Sequence, residues 1–99
     1  MDINKLMKEA QAMQKQMEKI SEEISASEFE GTASNGLVKV TVNGDDRVTS
    51  VKIDPSILNP EDVEMIEDLI MIATNNAIEL AYATKEEKYA FLKNYSYPK

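Results

Sequence analysis

Gly36-Leu37-Val38-Lys39-Val40-Thr41-Val42-Asn43-Gly44 is the stretch that decides the fold of this chain. Val38, Val40 and Val42 alternate with Leu37, Lys39 and Thr41, the period-two pattern of a strand with one buried face. Gly36 and Gly44 bracket the run, and Asn43-Gly44-Asp45-Asp46 holds residue types that tolerate turn backbone angles. A second alternating run, Arg47-Val48-Thr49-Ser50-Val51-Lys52-Ile53, follows and is stopped by Asp54-Pro55. Two such runs joined by a short turn predict an antiparallel hairpin, with Val40 on the core face and Lys39 on the other. A hairpin alone is marginal in water, so it needs a third strand and a cover. Ser27-Glu28-Phe29-Glu30-Gly31-Thr32-Ala33 is the candidate third strand, with Phe29 its only large apolar side chain. Its glutamates suit an edge or a pairing surface. Ala33-Ser34-Asn35-Gly36 reads as a turn with positive φ, and each of the three glycines is read as serving a turn.

Upstream of the sheet, the apolar residues Ile3, Leu6, Ala10, Met13, Met17, Ile20 and Ile24 are spaced 3, 4, 3, 4, 3, 4. That is an a/d heptad pattern on a helix roughly 33 Å long. The flanking positions hold Glu9, Gln16 and Glu23 on one side and Met7, Gln14 and Ser21 on the other. These lack the opposite charges of a parallel zipper, so the stripe is expected to pack on the other helix, the sheet or an antiparallel partner. At about 100° per residue, Lys5, Lys8, Lys15 and Lys19 fall within about 80° of one another, roughly 155° from the seam. A solvated face kept soluble by lysine is one reading, and a phosphate-tracking edge is the other. Glu18 and Glu22 flank the far end.

Beyond the sheet, Asn59 is a good N-cap and Pro60 suits the first helical position, while Glu61, Asp62 and Glu64 favour the positive end of the helix dipole. The helix is expected to run from Pro60 to about Lys93, roughly 50 Å. Its main apolar arc is Val63, Ile66, Leu69, Ile70, Ala73, Ala77, Leu80 and Ala81. A second stripe, Met71, Ile78, Tyr82 and Tyr89, lies on another side. A helix apolar on two sides must bury both or expose one, which points to the first helix or a second subunit. The tail mixes Lys85, Lys88, Lys93 and Lys99 with Tyr89, Phe91, Tyr95 and Tyr97. Lysines interleaved with aromatics resemble a single-strand stacking platform, although plain terminal helices carry the same mixture.

Composition excludes several functions. Ninety-nine residues suit one domain. The chain has no cysteine and no histidine, which removes disulfides, thiol chemistry, obvious zinc ligands and histidine acid–base catalysis. No nucleophile–base pair, phosphate-cradling glycine loop or calcium loop can be placed, so no enzyme, cofactor or small-molecule substrate is expected. No run is apolar and long enough for a signal peptide or membrane span, so a cytoplasmic protein with no membrane partner is expected. The net charge is −7, which argues against a generic grip on nucleic acid. Its distribution matters more: residues 61–84 hold six acids and no base, while 85–99 hold four lysines against two glutamates. Screening over roughly 8 Å at physiological salt lets a lysine patch act despite distant acids.

Gly36 to Gly44, then Val51-Lys52-Ile53-Asp54-Pro55-Ser56, then Glu67-Asp68-Leu69-Ile70 and Asn75-Asn76-Ala77 resemble the YbaB/EbfC family of small bacterial nucleoid-associated proteins. The Lys/Met/Gln-rich first helix fits too, so the resemblance covers nearly the whole chain. It implies an α+β unit of order α-β-β-β-α, dimeric, with helices projecting tweezer-like from a shared core, that binds DNA. The expected layout is one domain over residues 1–99: helix about 3–25, sheet about 27–54, helix about 60–93 and tail 94–99. The expected function is homodimeric binding of double-stranded DNA in the nucleoid, mainly through phosphates. A non-enzymatic helical adaptor gripping a protein partner is the alternative, and the acidic charge suits it better. Helical geometry nominates Lys5, Lys8, Lys15, Lys19, Lys85, Lys88 and Lys93 for DNA, and Met71, Ile78, Tyr82 and Tyr89 for the dimer interface.

Overall fold

In the computed structural model, which describes residues 2–94, a free-standing helix leads into a three-stranded sheet that a second helix covers. The elements are α1 (Ile3–Ala26), β1 (Glu28–Ala33), β2 (Val38–Asn43), β3 (Val48–Ile53) and α2 (Val63–Lys88). The expected α-β-β-β-α order of an α+β fold is therefore present. The sheet is antiparallel in the order β1-β2-β3. Val40 pairs with Gly31 on one side and Val51 on the other, which places these three residues on one face. Val38, Val40 and Val42 are fully buried, and Lys39 is exposed.

Both turns follow from local chemistry. Ser34, Asn35 and Gly36 take positive φ (52°, 57° and 86°), which asparagine and glycine tolerate. In the second turn the Asn43 side-chain oxygen accepts from the N–H groups of Asp45 (2.9 Å) and Arg47 (3.1 Å). Here Asp46, not Gly44, takes positive φ. Gly31 lies inside β1 at a position of close approach, a correction to its reading as a turn glycine, and Gly44, which does lie in the turn, is a second such position. A Cβ on Gly44 would meet the carbonyl of Ile24 and lie 2.8 Å from that residue's Cγ2. One on Gly31 would meet the Ala73 carbonyl and lie 2.9 Å from the Ala77 Cα.

The core lies between α2 and the first two strands. Ala73, Ala77 and Ala81 recur every fourth residue and are fully buried against Phe29, Ala33 and the three valines. Ile53, Ile57, Leu69 and Ile70 close its far end. Two members of the expected arc, Val63 and Leu80, are about half exposed (51% and 47%). The alanine ridge is narrow enough to sit deep on the sheet, so residues at the margins of that arc overhang it.

The ends of α2 also differ from expectation. Pro60 opens a single 3-10 turn, Pro60–Asp62, for which Asn59 supplies no side-chain hydrogen bond, and the α-helix starts at Val63. It stops at Lys88 and passes into a 3-10 segment, Ala90–Asn94, rather than continuing to Lys93.

Asp2 caps α1, accepting from the N–H groups of Asn4 (3.1 Å) and Lys5 (3.3 Å). From there α1 runs as a projecting arm. Of its seam only Ile24 is buried and Met13 and Ile20 are half-buried, while Ile3, Leu6 and Met17 are exposed. The expected packing of this stripe on the sheet or on α2 is thus not made within the protomer. The radius of gyration, 20.0 Å, reflects the arm; a compact chain of this length would have about 13 Å.

Candidate functional site

Lys5, Lys8, Lys15 and Lys19 are all exposed along the arm. Over fourteen residues of helix they span about 21 Å. Among the described residues, none of the four lies within salt-bridge distance of an acid. Glu22 and Glu23 follow at the root, where Ser25 also donates to Asp45 at 3.1 Å. The lysines therefore line one face of the arm's outer part, with Glu9 and Glu18 beside the stripe and Glu22 and Glu23 at its base. A shallow depression lined by Gln11, Gln14, Lys15 and Glu18 lies on α1 alone, with no facing element.

The C-terminal lysines divide. Lys88 ends α2 and is exposed, as is Lys93 on the 3-10 segment. Lys85 turns back to the β2–β3 turn, with its Nζ 3.1 Å from Asp46 Oδ1. Its charge is already partnered, which sets it apart from the other six nominated lysines. Lys99, Tyr95 and Tyr97 lie outside the described residues. Of the aromatics named in the tail, Tyr89 and Phe91 are half-buried.

Two contacts orient α2 about its axis. The Asn76 amide donates to the Thr32 carbonyl at 3.0 Å, turning one flank towards β1. Lys85, nine residues on and hence about 180° around the helix, turns the opposite flank towards β3. Met71, Ile78, Tyr82 and Tyr89 all fall within about 60° of Lys85. The first three are exposed (56%, 42% and 62%), whereas Tyr89 is half-buried at the helix end. Glu86 accepts the Tyr82 hydroxyl's hydrogen bond and its negative charge adds to the effect, holding the phenol above its ordinary range.

Sequence reasoning missed the floor beneath this flank. Val48 and Val51 pair with Val42 and Val40, so they share the core face, yet they are 50% and 47% exposed. The sheet is one strand wider than the helix covering it. Val48 and Val51 form a bare apolar floor, and Met71, Ile78 and Tyr82 form its wall. Alternation alone would put Val48 and Val51 on opposite faces; the register shift in the β2–β3 pairing brings them together, and the position of α2 leaves them uncovered. The β1-side flank carries a second exposed set, Met65, Ile72 and Leu80, around Asn76.

Among the described residues no cluster of acids could hold a metal ion, and no helix is long and apolar enough to cross a membrane. The chemistry on display is an exposed arm of no net charge, with its lysines gathered in one stripe, joined to bare apolar surfaces on a small α+β domain. The chain belongs to the YbaB/EbfC DNA-binding family, whose model matches residues 1–94. It is similar to a nucleoid-associated protein of Clostridium novyi, 46% identical over 81 residues, covering 82% of this chain and 71% of the relative. It is also similar to one of Chloroflexus aurantiacus, 43% identical over 88 residues and 89% and 88% of the two chains. A third, of Bartonella bacilliformis, is 44% identical over 87 residues and 88% and 81% of the two. The crystal structure of an uncharacterized protein of Helicobacter pylori shares the fold, with a TM-score of 0.74 at 24% identity over 96% of this chain and 99% of that one.

Proposed function

We propose that this chain is a homodimeric DNA-binding protein of the bacterial nucleoid, and that it holds duplex DNA through backbone phosphates met by α1. The observation that carries the reading is the projecting arm with four exposed lysines, unpaired among the described residues, on the face opposite its apolar seam. Phosphate contacts need charge at the right spacing and no base-reading pocket. Lys88 and Lys93 extend the cationic surface at the other helix, and Lys85 contributes least because Asp46 already neutralises it. The family to which the chain belongs and the names of its relatives support DNA as the partner.

The surface area supports the dimer. The chain exposes 7679 Å², whereas a compact monomer of its mass would expose about 5,700 Å². The difference, about 2,000 Å², exceeds the roughly 800 Å² per partner of a standard interface. The bare floor of Val48 and Val51 beside Met71, Ile78 and Tyr82 is apolar, with the Lys85–Asp46 pair and Glu86 at its edge, and suits a two-fold contact. Tyr89 lies in line with that wall, at its C-terminal end.

A mobility shift with an arbitrary duplex across a salt series tests the function. Binding that weakens steeply with salt and differs little between sequences is expected. The net charge of −7 favours a second reading, the adaptor whose arms grip a protein. No binding of any duplex at low salt would select it.

A further inference from the structure

The relation between the two faces of α1 decides where DNA lies on a dimer. The seam, Ile3, Leu6, Ala10, Met13, Met17, Ile20 and Ile24, carries no charge, and its own protomer covers only the last turn. Most helical stability in proteins comes from packing of an apolar face, which this 24-residue helix lacks along most of its seam. The excess surface noted above is more than the shelf on β3 and α2 alone would use. A second copy of this chain is therefore the occupant of the seam. The positions flanking it do not oppose that, since they hold glutamate, glutamine, serine and methionine but no lysine.

The lysine arc of α1 is centred roughly 155° from the centre of the seam, and each of its lysines lies more than about 100° from it. Once the seam faces the other subunit, Lys5, Lys8, Lys15 and Lys19 face away from it. Two-fold symmetry then gives the dimer two lysine stripes on its outside, pointing apart. The space between the arms is the wrong place for a duplex, because the uncharged seams occupy it.

We propose that one dimer binds two duplexes, one on each outward stripe, and so bridges DNA instead of clasping a single duplex between its arms. The proposal rests on the DNA-binding reading above and goes beyond it in stoichiometry and geometry.

Bridging is tested by bead capture. A duplex fixed to beads is incubated with the full chain, washed, and offered a second, fluorescent duplex in low salt. Retention of the second duplex in proportion to bound protein is expected, with loss at high salt and in a Lys8→Glu/Lys15→Glu variant. A direct mobility shift is measured in parallel. Protein that binds the first duplex but retains none of the second would overturn bridging and leave DNA binding standing. Protein that binds neither would overturn both.

The orientation of the arm has its own readout, because the chain has no native cysteine. Thiol labelling of a Leu6→Cys variant should be slow, and that of an Ala12→Cys variant, among the lysines, fast. Equal rates in the dimer would contradict an inward seam.

Discussion

Gly31 of β1 and Ala77 of α2 meet backbone to backbone: a methyl group on Gly31 would lie 2.9 Å from the Ala77 Cα and closer still to the Ala73 carbonyl. This contact sets the depth at which α2 lies on the sheet. It leaves the larger side chains, Met71 and Ile78 on one flank and Ile72 and Leu80 on the other, standing clear of the core. The bare surfaces that support a dimer are thus a consequence of the small residues that build the monomer.

Gly31→Ala should therefore destabilise the fold by about 2 kcal/mol, the usual order for forcing a methyl group into a packed contact. Backbone on both sides of the contact leaves little room to yield. Thermal unfolding followed by circular dichroism checks this. A melting temperature equal to the parent's would mean that α2 is seated less closely.

Val40 is fully buried and its neighbour Lys39 is exposed on the opposite face. Val40→Asp should cost on the order of 4 kcal/mol and leave the chain largely unfolded, because its carboxylate would have no partner in the core. Lys39→Ala should be within about 0.5 kcal/mol of the parent. Chemical denaturation of the two variants separates these outcomes.

Ile78→Glu and Val51→Glu place charge on the wall and the floor of the proposed subunit contact. Each should shift sedimentation at micromolar concentration from dimer towards monomer. Helical signal should fall along with mass, since an arm without its partner loses the packing that sustains it. An unchanged dimer in both variants would place the subunit contact elsewhere.

The Ser56 N–H donates to Asp54 Oδ1 at 2.9 Å, and this bond lowers the carboxyl below its ordinary value of 3.8. A group with a lowered folded pKa stabilises fully above its unfolded pKa, and that contribution is lost as pH falls through the folded value. Asp54→Asn should therefore melt slightly below the parent near neutral pH, with the gap closing as pH drops under 3.8. A gap that widens in acid would reverse the sign and contradict the cap. The effect is small because Asp54 is exposed.

Much of this architecture was legible in the residues. The valine alternation located β2 and its buried face, because a half-buried strand permits little else at those positions. The heptad spacing and the clustered lysines located the two faces of α1 for the same reason of periodicity. Gly31 was not legible, since a glycine in a strand is silent about what approaches it. Strict alternation puts Val48 and Val51, three residues apart, on opposite faces, and the register shift between β2 and β3 brings them to one. Their exposure depends on how far α2 reaches across the sheet, which the alanine ridge sets and no local pattern encodes. Lys85 counted among free lysines for want of a sign that the β2–β3 turn comes within its reach.

Lysines of α1 that meet DNA phosphates must show in the salt dependence of duplex affinity. Each phosphate contact contributes about 0.9 to the slope of log affinity against log salt. Reversing Lys5, Lys8, Lys15 and Lys19 to glutamate should leave circular dichroism and dimer mass unchanged and abolish binding. Changing them one at a time to alanine should flatten the slope by about 0.9 for each contact removed. A fourfold-reversed variant that folds, dimerises and binds duplex DNA with the parent's affinity and slope would show that α1 does not hold the DNA.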